Sequence, residues 1–547
     1  MAAYLARYVS GCPFCRFELG RSAGKHLSLS PDSSIMQCYY FYAIQLLMTK
    51  LQGLIPAAGK GVRARPYTHD IHKGMLDIHG APNIQRIVGI MRDQLAIEEI
   101  VIVIGHLGET IQAYFGDGSN FGVKIRYVEN NDLDKGLAWS IALAEREITA
   151  EYFCIMLCDE CYISSNHNEI LSFNYYDYSV TCCGLTVDDN RLIQKNFAIY
   201  LDAHQNIKAL EEKPKVVSSR ILGTGTFVCD RSIFAHLTML FELNSEDGVD
   251  FVSALNELHQ TQATLGFFQI EGTYVNINDR DSLHLAKYHE RKRCFERSAA
   301  GLLIYSEGHE TNINFTIQRY AELDIFETIS VVLPSRNTIE DRVLAHGAVP
   351  IVCPPDSNDY GAKLRHAMNL ASEDIIILTE ADYSFSARDV EKLLTYLPEA
   401  DMVIGSRTTR QLIEQGSNMR GMVRLAHHAL GLLVEILWWN RRGRFTDVGC
   451  TFRAIWKSSW ETIKHDLISD GPEFSAEMMI ELMRQHQRVI EIPVNYFNQS
   501  QSTKKQYQTV SIFFRFLKLI FTRRLSRNPE KSSRWRHKLH KSSDANT

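Results

Sequence analysis

Regular patterning begins at Leu51, where short apolar runs bounded by glycine or polar residues recur at 53–56, 100–104, 123–128 and 153–157. Runs that are apolar on both faces predict strands covered on both sides, as in a parallel sheet. Helix-sized stretches lie between them, such as 136–147, where Leu137, Ile141 and Ala144 share a face. Alternating strand and helix predicts a doubly wound α/β domain whose ligands sit beyond the carboxyl ends of the strands. A charged stretch at 289–297 closes this unit, and the alternation restarts at 301–304, 329–333, 350–352, 374–378 and 402–404. The second set predicts another α/β domain that is no sequence repeat of the first. After Tyr496 the character changes again. Residues 510–525 interleave Phe513, Phe514, Phe516, Leu517, Leu519, Ile520 and Phe521 with Arg515, Lys518, Arg523 and Arg524. A basic, Phe-rich helix of this kind either lies in a membrane interface or packs on its own domain.

The expected organisation is an extension of weak periodicity at 1–48, domains at 49–297 and 298–508, the basic helix at 509–526, and a polar tail at 527–547. The extension and the tail are expected to be poorly ordered. No compact apolar segment with a small-residue cleavage site follows the first charges, so a signal peptide is not expected. At 547 residues the chain exceeds one ordinary core. Its 45% hydrophobic and 22% charged residues are those of a globular protein. A net charge of −5 gives no reason to expect nucleic acid as a partner. No apolar run reaches the roughly 18–20 residues that cross a bilayer. Two CxxC pairs, Cys12/Cys15 and Cys158/Cys161, lack a further pair at zinc-ribbon or zinc-finger spacing, and reduced thiols in a cytoplasmic protein are the simpler reading.

Candidate chemistry starts just after the first run, at Gly59-Lys60-Gly61-Val62-Arg63-Ala64-Arg65-Pro66, with Lys73 beyond. Glycines following a strand let backbone N–H groups approach a triphosphate, and Arg63 and Lys73 supply positive charge. This arrangement resembles the G-x-G-T-R-L-x-P…P-K signature of sugar-phosphate nucleotidylyltransferases, and the resemblance extends over about residues 51–288. It implies that Gly59, Gly61 and Gly136 line the nucleotide and that Asn131 stands where the family reads the base. Asp159 matches the family's metal-binding aspartate, and Asn278 its second Mg²⁺ ligand. Glu212, Lys213 (in Glu212-Lys213-Pro214) and Gly225 match sugar contacts. By this resemblance Arg63 holds the leaving pyrophosphate and Lys73 the attacking phosphate. Val62 for Thr, His72 for Pro and Asn131 for Gln depart from the pattern and bear on nucleotide choice.

In the second half, 374–378 leads into Glu380-Ala381-Asp382, an acidic pair at a strand end that can hold Mg²⁺ or Mn²⁺ against a nucleotide-sugar diphosphate. With Asp359-Tyr360-Gly361-Ala362-Lys363-Leu364-Arg365, Ile404-Gly405-Ser406-Arg407, Asp447-Val448-Gly449-Cys450-Thr451-Phe452-Arg453, Glu473 to Glu477 and Glu491-Ile492-Pro493-Val494, it resembles family-2 glycosyltransferases of the polyprenyl-phosphate mannose or glucose synthase type. The resemblance covers about residues 301–496 and implies a GT-A fold. Glu380 and Asp382 are then metal ligands, and Gly361 and Arg365 contact nucleotide. Arg407 and Arg453 contact anions, and Asp447 or Glu477 orients the acceptor. Leu333-Pro334-Ser335-Arg336 departs from the family's acidic pair, and Ser502-Thr503-Lys504-Lys505 only approximates its final G-x-S-K.

Together these readings imply a two-step enzyme whose partners are an NTP, a sugar 1-phosphate, the NDP-sugar and a lipid phosphate acceptor. It would be cytoplasmic, with peripheral contact at the membrane face. Two alternatives stay open: a nucleotidylyltransferase whose second domain is a non-catalytic binding module, and a cytidylyltransferase for a non-sugar phosphate, against which Glu212-Lys213-Pro214 speaks.

Overall fold

The computed structural model describes residues 50–526 except 244–247, 262, 335–337, 356–358, 415–420, 439–442 and 498–507. The expected extension and tail, Cys12/Cys15, Ser335-Arg336 and Ser502-Thr503-Lys504-Lys505 lie outside the described residues. Two α/β sheets, one per half, are built as the alternation predicts.

In the first, strands β1 (Gln52–Ala57), β2 (Glu99–Ile104), β3 (Lys124–Glu129) and β4 (Tyr152–Met156) run parallel in the order β3-β2-β1-β4. Each expected run falls inside a strand, displaced by at most one residue at either end. A short β5 (Glu160–Ile163) follows β4. The sheet continues through antiparallel strands the reading did not resolve: β6 (Val180–Thr186), β7 (Phe197–Leu201), β8 (Ile207–Glu212) and β9 (Ile221–Asp230), with β10 (Leu265–Gln269) parallel to β6. The sheet is therefore mixed, and only its β3-β2-β1-β4 part is doubly wound. One face is covered by helices Asn83–Asp93 and Gly108–Phe115, which bury Ile84, Ile87, Met91, Ile111 and Phe115. The other is covered by α1 (Gly136–Ala142) and two further helices carrying Phe234 and Phe251. The expected helix 136–147 stops being α-helical at Ala142 and continues in turns.

Strand β11 (Thr273–Asn276) pairs with β5 and delivers the chain to α2 (Arg280–Phe295), which opens on a capping box between Asp279 and Ser282. The charged stretch 289–297 is mostly the second half of this helix. Lys287, Glu290 and Arg291 are buried in it. The second sheet follows: β12 (Ala300–Tyr305), β13 (Thr328–Leu333), β14 (Val349–Val352), β15 (Ile375–Glu380), β16 (Met402–Ser406), β17 (Arg453–Trp456) and β18 (Val489–Pro493). Their order is β14-β13-β12-β15-β17-β16-β18, with β17 antiparallel to both neighbours and the other pairs parallel.

One face of the second domain is closed by helices Tyr360–Leu370 and Lys457–Ile463 together with three others. The three are α3 (Gly421–Leu437), α4 (Phe474–Arg484) and α5 (Gln508–Leu525), with Leu430, Val434, Phe474, Met478, Phe516 and Ile520 in a shared core. Every residue of α4 is buried. α5 buries Phe516, Leu519 and Ile520 against that core and leaves Phe514 at 63% and Phe521 at 49% exposure. Packing on its own domain thus accounts for one face of the basic helix. Among the described residues no helix is long and apolar enough to cross a membrane.

Candidate active site

In an α/β sheet, ligands sit where the strand order reverses, beyond the carboxyl ends of the strands. In the first sheet that point lies between β1 and β4, because β2 and β3 lie on one side of β1 and β4 on the other. A cleft of about 390 Å³ opens there, lined by Gly59, Gly61 and Arg63 after β1, Asp159 after β4, and His72, Lys73, Asn130, Gly136 and Ser140. Gly61 takes φ 59°, a left-handed conformation that glycine adopts without strain, and it turns the chain into the 3₁₀ turn Val62–Ala64 that presents Arg63. The Thr68 hydroxyl donates to Gly61 O at 2.7 Å and ties the loop back on itself.

Three residues read separately from the sequence meet here. Lys73 Nζ donates to Asp159 Oδ2 at 2.6 Å and to Asn278 Oδ1 at 2.9 Å, although 86 and 205 positions separate the partners. Burial pushes the Asp159 carboxyl up, but the Lys73 charge and hydrogen bond, with the Arg63 charge behind them, hold it below the usual carboxylate range. Ile277 N–H donates to Asp159 O at 2.8 Å and fixes the Asn278 segment against the β4 end. Two hard oxygens directed at one cation suit Mg²⁺, which takes few protein ligands and keeps waters. Asp159 and Asn278 therefore fit the ion that the sequence resemblance implies. Among the described residues no cluster of three or more His, Cys, Asp and Glu side chains forms a fuller metal cage, and Cys158 and Cys161 are buried free thiols.

Some expected residues stand elsewhere. Asn131 is exposed and outside the cleft lining. Its neighbour Asn130 is the residue that lines the cleft, buried, with its amide donating to Ser140 Oγ at 3.0 Å. Glu212 pairs with Lys213 at the end of β8, outside the cleft lining. Lys213 N–H donates to Asn196 O at 2.7 Å, and the Asn276 amide donates to Asn196 Oδ1 at 2.7 Å, so this pair belongs to a wall reached through β11. Gly225 packs against Leu157, where a Cβ would come within 2.4 Å of that side chain.

The sequence reading missed Glu160, whose carboxylate turns inward. It accepts from Gly225 N–H at 2.9 and 2.8 Å, from Tyr274 OH at 2.7 Å and from Tyr162 OH at 2.5 Å. Burial pushes its pKa up to about 7 against these hydrogen bonds. The available signal was a second acid directly after Asp159. His72 was read only as a departure. It is a buried ring whose Nδ1 accepts from Gly74 N–H at 3.1 Å, and burial brings its pKa down to about 4, so it adds no charge at neutral pH.

In the second sheet the order reverses between β12 and β15, and their last residues, Tyr305 and Glu380, stand side by side. Glu380 Oε1 accepts from the Thr451 hydroxyl at 2.8 Å, and Asp382 Oδ1 accepts from Ser384 N–H at 3.0 Å. The acidic pair thus occupies the ligand-binding end of its sheet. The other expected groups are engaged within the protein. Asp447 is fully buried and accepts from Arg407 Nε at 2.7 Å and Nη2 at 2.9 Å, with His427 Nδ1 at 3.0 Å. Burial raises the Asp447 pKa, but the Arg407 and His427 charges hold it well below the usual range. Arg453, expected as an anion contact, is buried and donates to the carbonyls of Cys450 and Ser475. Glu477, expected with Asp447 as a candidate for orienting the acceptor, is fully buried, accepts from Ser469 N–H at 2.9 Å and pairs with Arg523 of α5. Gly361 lies against Ser469 O, where a Cβ would come within 2.5 Å. Arg365, half-buried, donates to Ser469 O at 3.1 Å and pairs with Asp470, so both residues pack on the loop at 469–470.

Residues 52–273 match the family described as Nucleotidyl transferase. A UTP--glucose-1-phosphate uridylyltransferase, AglF, from Haloferax volcanii is 27% identical over 234 residues, 42% of this chain and 94% of that protein. A UTP--glucose-1-phosphate uridylyltransferase from Synechocystis is 26% identical over 198 residues, 34% of this chain and 51% of that protein. The chain thus spans about half the length of the Synechocystis relative. A low-salt glycan biosynthesis hexosyltransferase, Agl6, also from Haloferax volcanii, is 27% identical over 179 residues, 32% of this chain and 41% of that protein. The first half is therefore a nucleotidyl transferase domain of mixed α/β fold.

Proposed function

We propose that the first domain joins an NTP to a sugar 1-phosphate, releasing pyrophosphate and an NDP-sugar. The observation that carries this reading is the convergence of Lys73, Asp159 and Asn278 at the switch point between β1 and β4. The reaction brings two anions together, so positioning and charge neutralisation supply most of the catalysis. Backbone N–H groups from Gly59 to Gly61 cradle the triphosphate, and Arg63 draws charge toward the departing pyrophosphate. Lys73 steadies the attacking sugar phosphate, and Asn130 takes the base-facing position expected of Asn131. Asp159 and Asn278 would hold Mg²⁺, which when bound supplies further neutralising charge to the phosphates. The matching test incubates purified full-length protein with each NTP and a panel of sugar 1-phosphates and reads pyrophosphate. No release from any pair removes this reading.

The second domain, on the same proposal, is a glycosyltransferase of GT-A type that passes the sugar to a lipid phosphate. Supporting it are the acidic pair Glu380/Asp382 beyond a strand-order reversal, the single reversed strand β17, and a relative that bears the name hexosyltransferase. Mg²⁺ or Mn²⁺ on Glu380 and Asp382 would neutralise the leaving diphosphate. The protein then works in the cytoplasm with its basic helix against the membrane. The alternative of a non-catalytic module is favoured by a specific observation: Arg407 and Asp447 neutralise each other, and Arg453 is spent on carbonyls. Transfer of label from an NDP-sugar to a polyprenyl phosphate, with Asp382→Ala as control, separates the two. Label transfer that Asp382→Ala abolishes, with pyrophosphate release intact, establishes the transferase.

A further inference from the structure

The segment that carries the anion-binding groups of the first domain is held at both ends by the second. Before Lys73, Tyr67 is buried with 8% exposure, and its N–H donates to Ala64 O at 3.0 Å, closing the turn that presents Arg63. The Tyr67 ring lies on the ring of His486, with centroids 4.6 Å apart and planes inclined by 51°. His486 belongs to the second domain, just past the end of α4, at φ 60° with its N–H on Met483 O at 2.9 Å. A wholly buried helix thus presents the imidazole from a fixed position.

After Lys73, residues 77–78 and 81–82 pair antiparallel as a short hairpin, and His79 at its tip meets Trp456 edge-on at 4.6 Å, with Ser458 Oγ 3.4 Å from its Nδ1. Burial and the nearby Arg291 charge bring the His79 pKa down to about 4, so this contact is between neutral groups at pH 7.

The geometry points to His486 as a positioning residue for nucleotidyl transfer: through Tyr67 it sets the phosphate-binding loop of a domain to which it does not belong. This rests on the function proposed above. The loop from Gly59 to His72 has few contacts of its own on the solvent side, with Lys60, Val62, Arg63, Arg65 and Pro66 exposed. Tyr67 is seated in the first domain's own cluster with Leu76, Ile78, Ile163 and Ile277, and the His486 ring pressed on it from the second domain completes that seat and favours the conformation in which Arg63 faces the cleft. Removing that ring takes away one side of the Tyr67 seat and loosens the loop without touching substrate, so the loss falls on the group the loop binds, the nucleotide. The sugar phosphate, held by Lys73 and the β11 wall, is affected less.

The test uses the full chain with His486→Ala and His486→Phe. With UTP and glucose 1-phosphate, His486→Ala is expected to raise KM for UTP by about two- to tenfold, the range of one aromatic pair. KM for glucose 1-phosphate should stay within twofold, and His486→Phe should restore the wild-type value. Amide exchange across residues 59–72 supplies a readout independent of turnover: faster in His486→Ala, protected in the wild type and in His486→Phe. Tyr67→Ala should reproduce the effect, and the double variant should add nothing. Equal rises in both KM values, or unchanged loop exchange in His486→Ala, overturn the assignment. Absence of pyrophosphate release by the wild type with every NTP and sugar 1-phosphate pair overturns the proposed reaction instead, while the exchange result still decides the role of His486. If His486→Ala fails to fold, the loop exchange of Tyr67→Ala in the intact domain pair decides in the same way.

Discussion

Lys73, Asp159 and Asn278 form a neutralised set, in which one ammonium satisfies a carboxylate and an amide oxygen. Replacing Lys73 or Asp159 by alanine removes a preorganised charge from the reacting phosphates, and such losses cost on the order of 10²–10³ in rate. Pyrophosphate release under saturating substrates checks this, and near wild-type turnover by Asp159→Ala with Mg²⁺ present refutes the assignment. These residues were legible because strand ends in an α/β sheet announce themselves by apolar runs that stop at polar residues. Asn130 was not, since the sequence offers two adjacent asparagines and only backbone geometry decides which faces inward. Glu160 was not legible either: its partners Gly225 and Tyr274 lie 65 and 114 residues away, and nothing local turns the carboxylate toward them.

Helix α5 shows how an element can be read correctly in type and incompletely in orientation. Its phenylalanines spread over an arc of roughly 160° at 100° per residue, wider than the face that one packed contact covers, so periodicity alone does not select which of them are buried. Long-range charges select it: Arg515 pairs with Glu473 at 2.9 Å, and Arg523 pairs with Glu477 and lies 3.4 Å from Glu481, which turns Phe516 and Ile520 inward. Phe514 and Phe521 then remain outside, together with Met422, Leu425, Leu432 and Ile436 on the neighbouring α3. The double change Phe514→Asp and Phe521→Asp is therefore expected to leave the melting temperature nearly unchanged while weakening binding to anionic liposomes in a sedimentation assay. Burial of apolar side chains and attraction to the anionic surface both suffer from these changes. Phe516→Asp, at 3% exposure, is expected to unfold the second domain instead. Wild-type protein that ignores anionic liposomes removes the membrane contact from the proposal.

The two halves are joined by more than a peptide. Asp401 of the second domain is buried, pairs with Arg291 and lies 3.6 Å from Lys287, both on α2. Burial raises its pKa, but the Arg291 and Lys287 charges and the Arg488 N–H hold it well below the ordinary value of 3.8. The unfolded chain takes up this proton before the folded one does. The pair therefore stabilises fully above pH 3.8, and its contribution fades as pH falls below that value. Asp401→Asn leaves two buried cations without a counter-charge and is expected to cost about 3–5 kcal/mol at pH 7, with a shallower acid limb in urea melts from pH 3 to 7. The sequence placed a domain boundary near residue 297 because charges are usually solvated at such positions. Here the same charges are the fastening. A fragment ending at Arg297 should keep the first sheet but melt lower than the full chain and show a raised KM for the nucleotide, which calorimetry and pyrophosphate assays check.

The distance along the chain between the phosphate-binding loop and its support has a consequence for biosynthesis. When residue 297 has been joined to the chain, every strand of the first sheet has been made, yet His486 is still 189 residues from being made (486 minus 297). At roughly 5–20 residues per second that is a delay of about 10–40 s. Throughout it the nascent polypeptide carries a finished scaffold, two cations on α2 awaiting their acid, and a nucleotide loop with no ring beneath it. On the proposed function, translation order becomes an order of maturation, in which the second-domain contact of the loop arrives last, only after the second half has emerged and closed over its own buried helix.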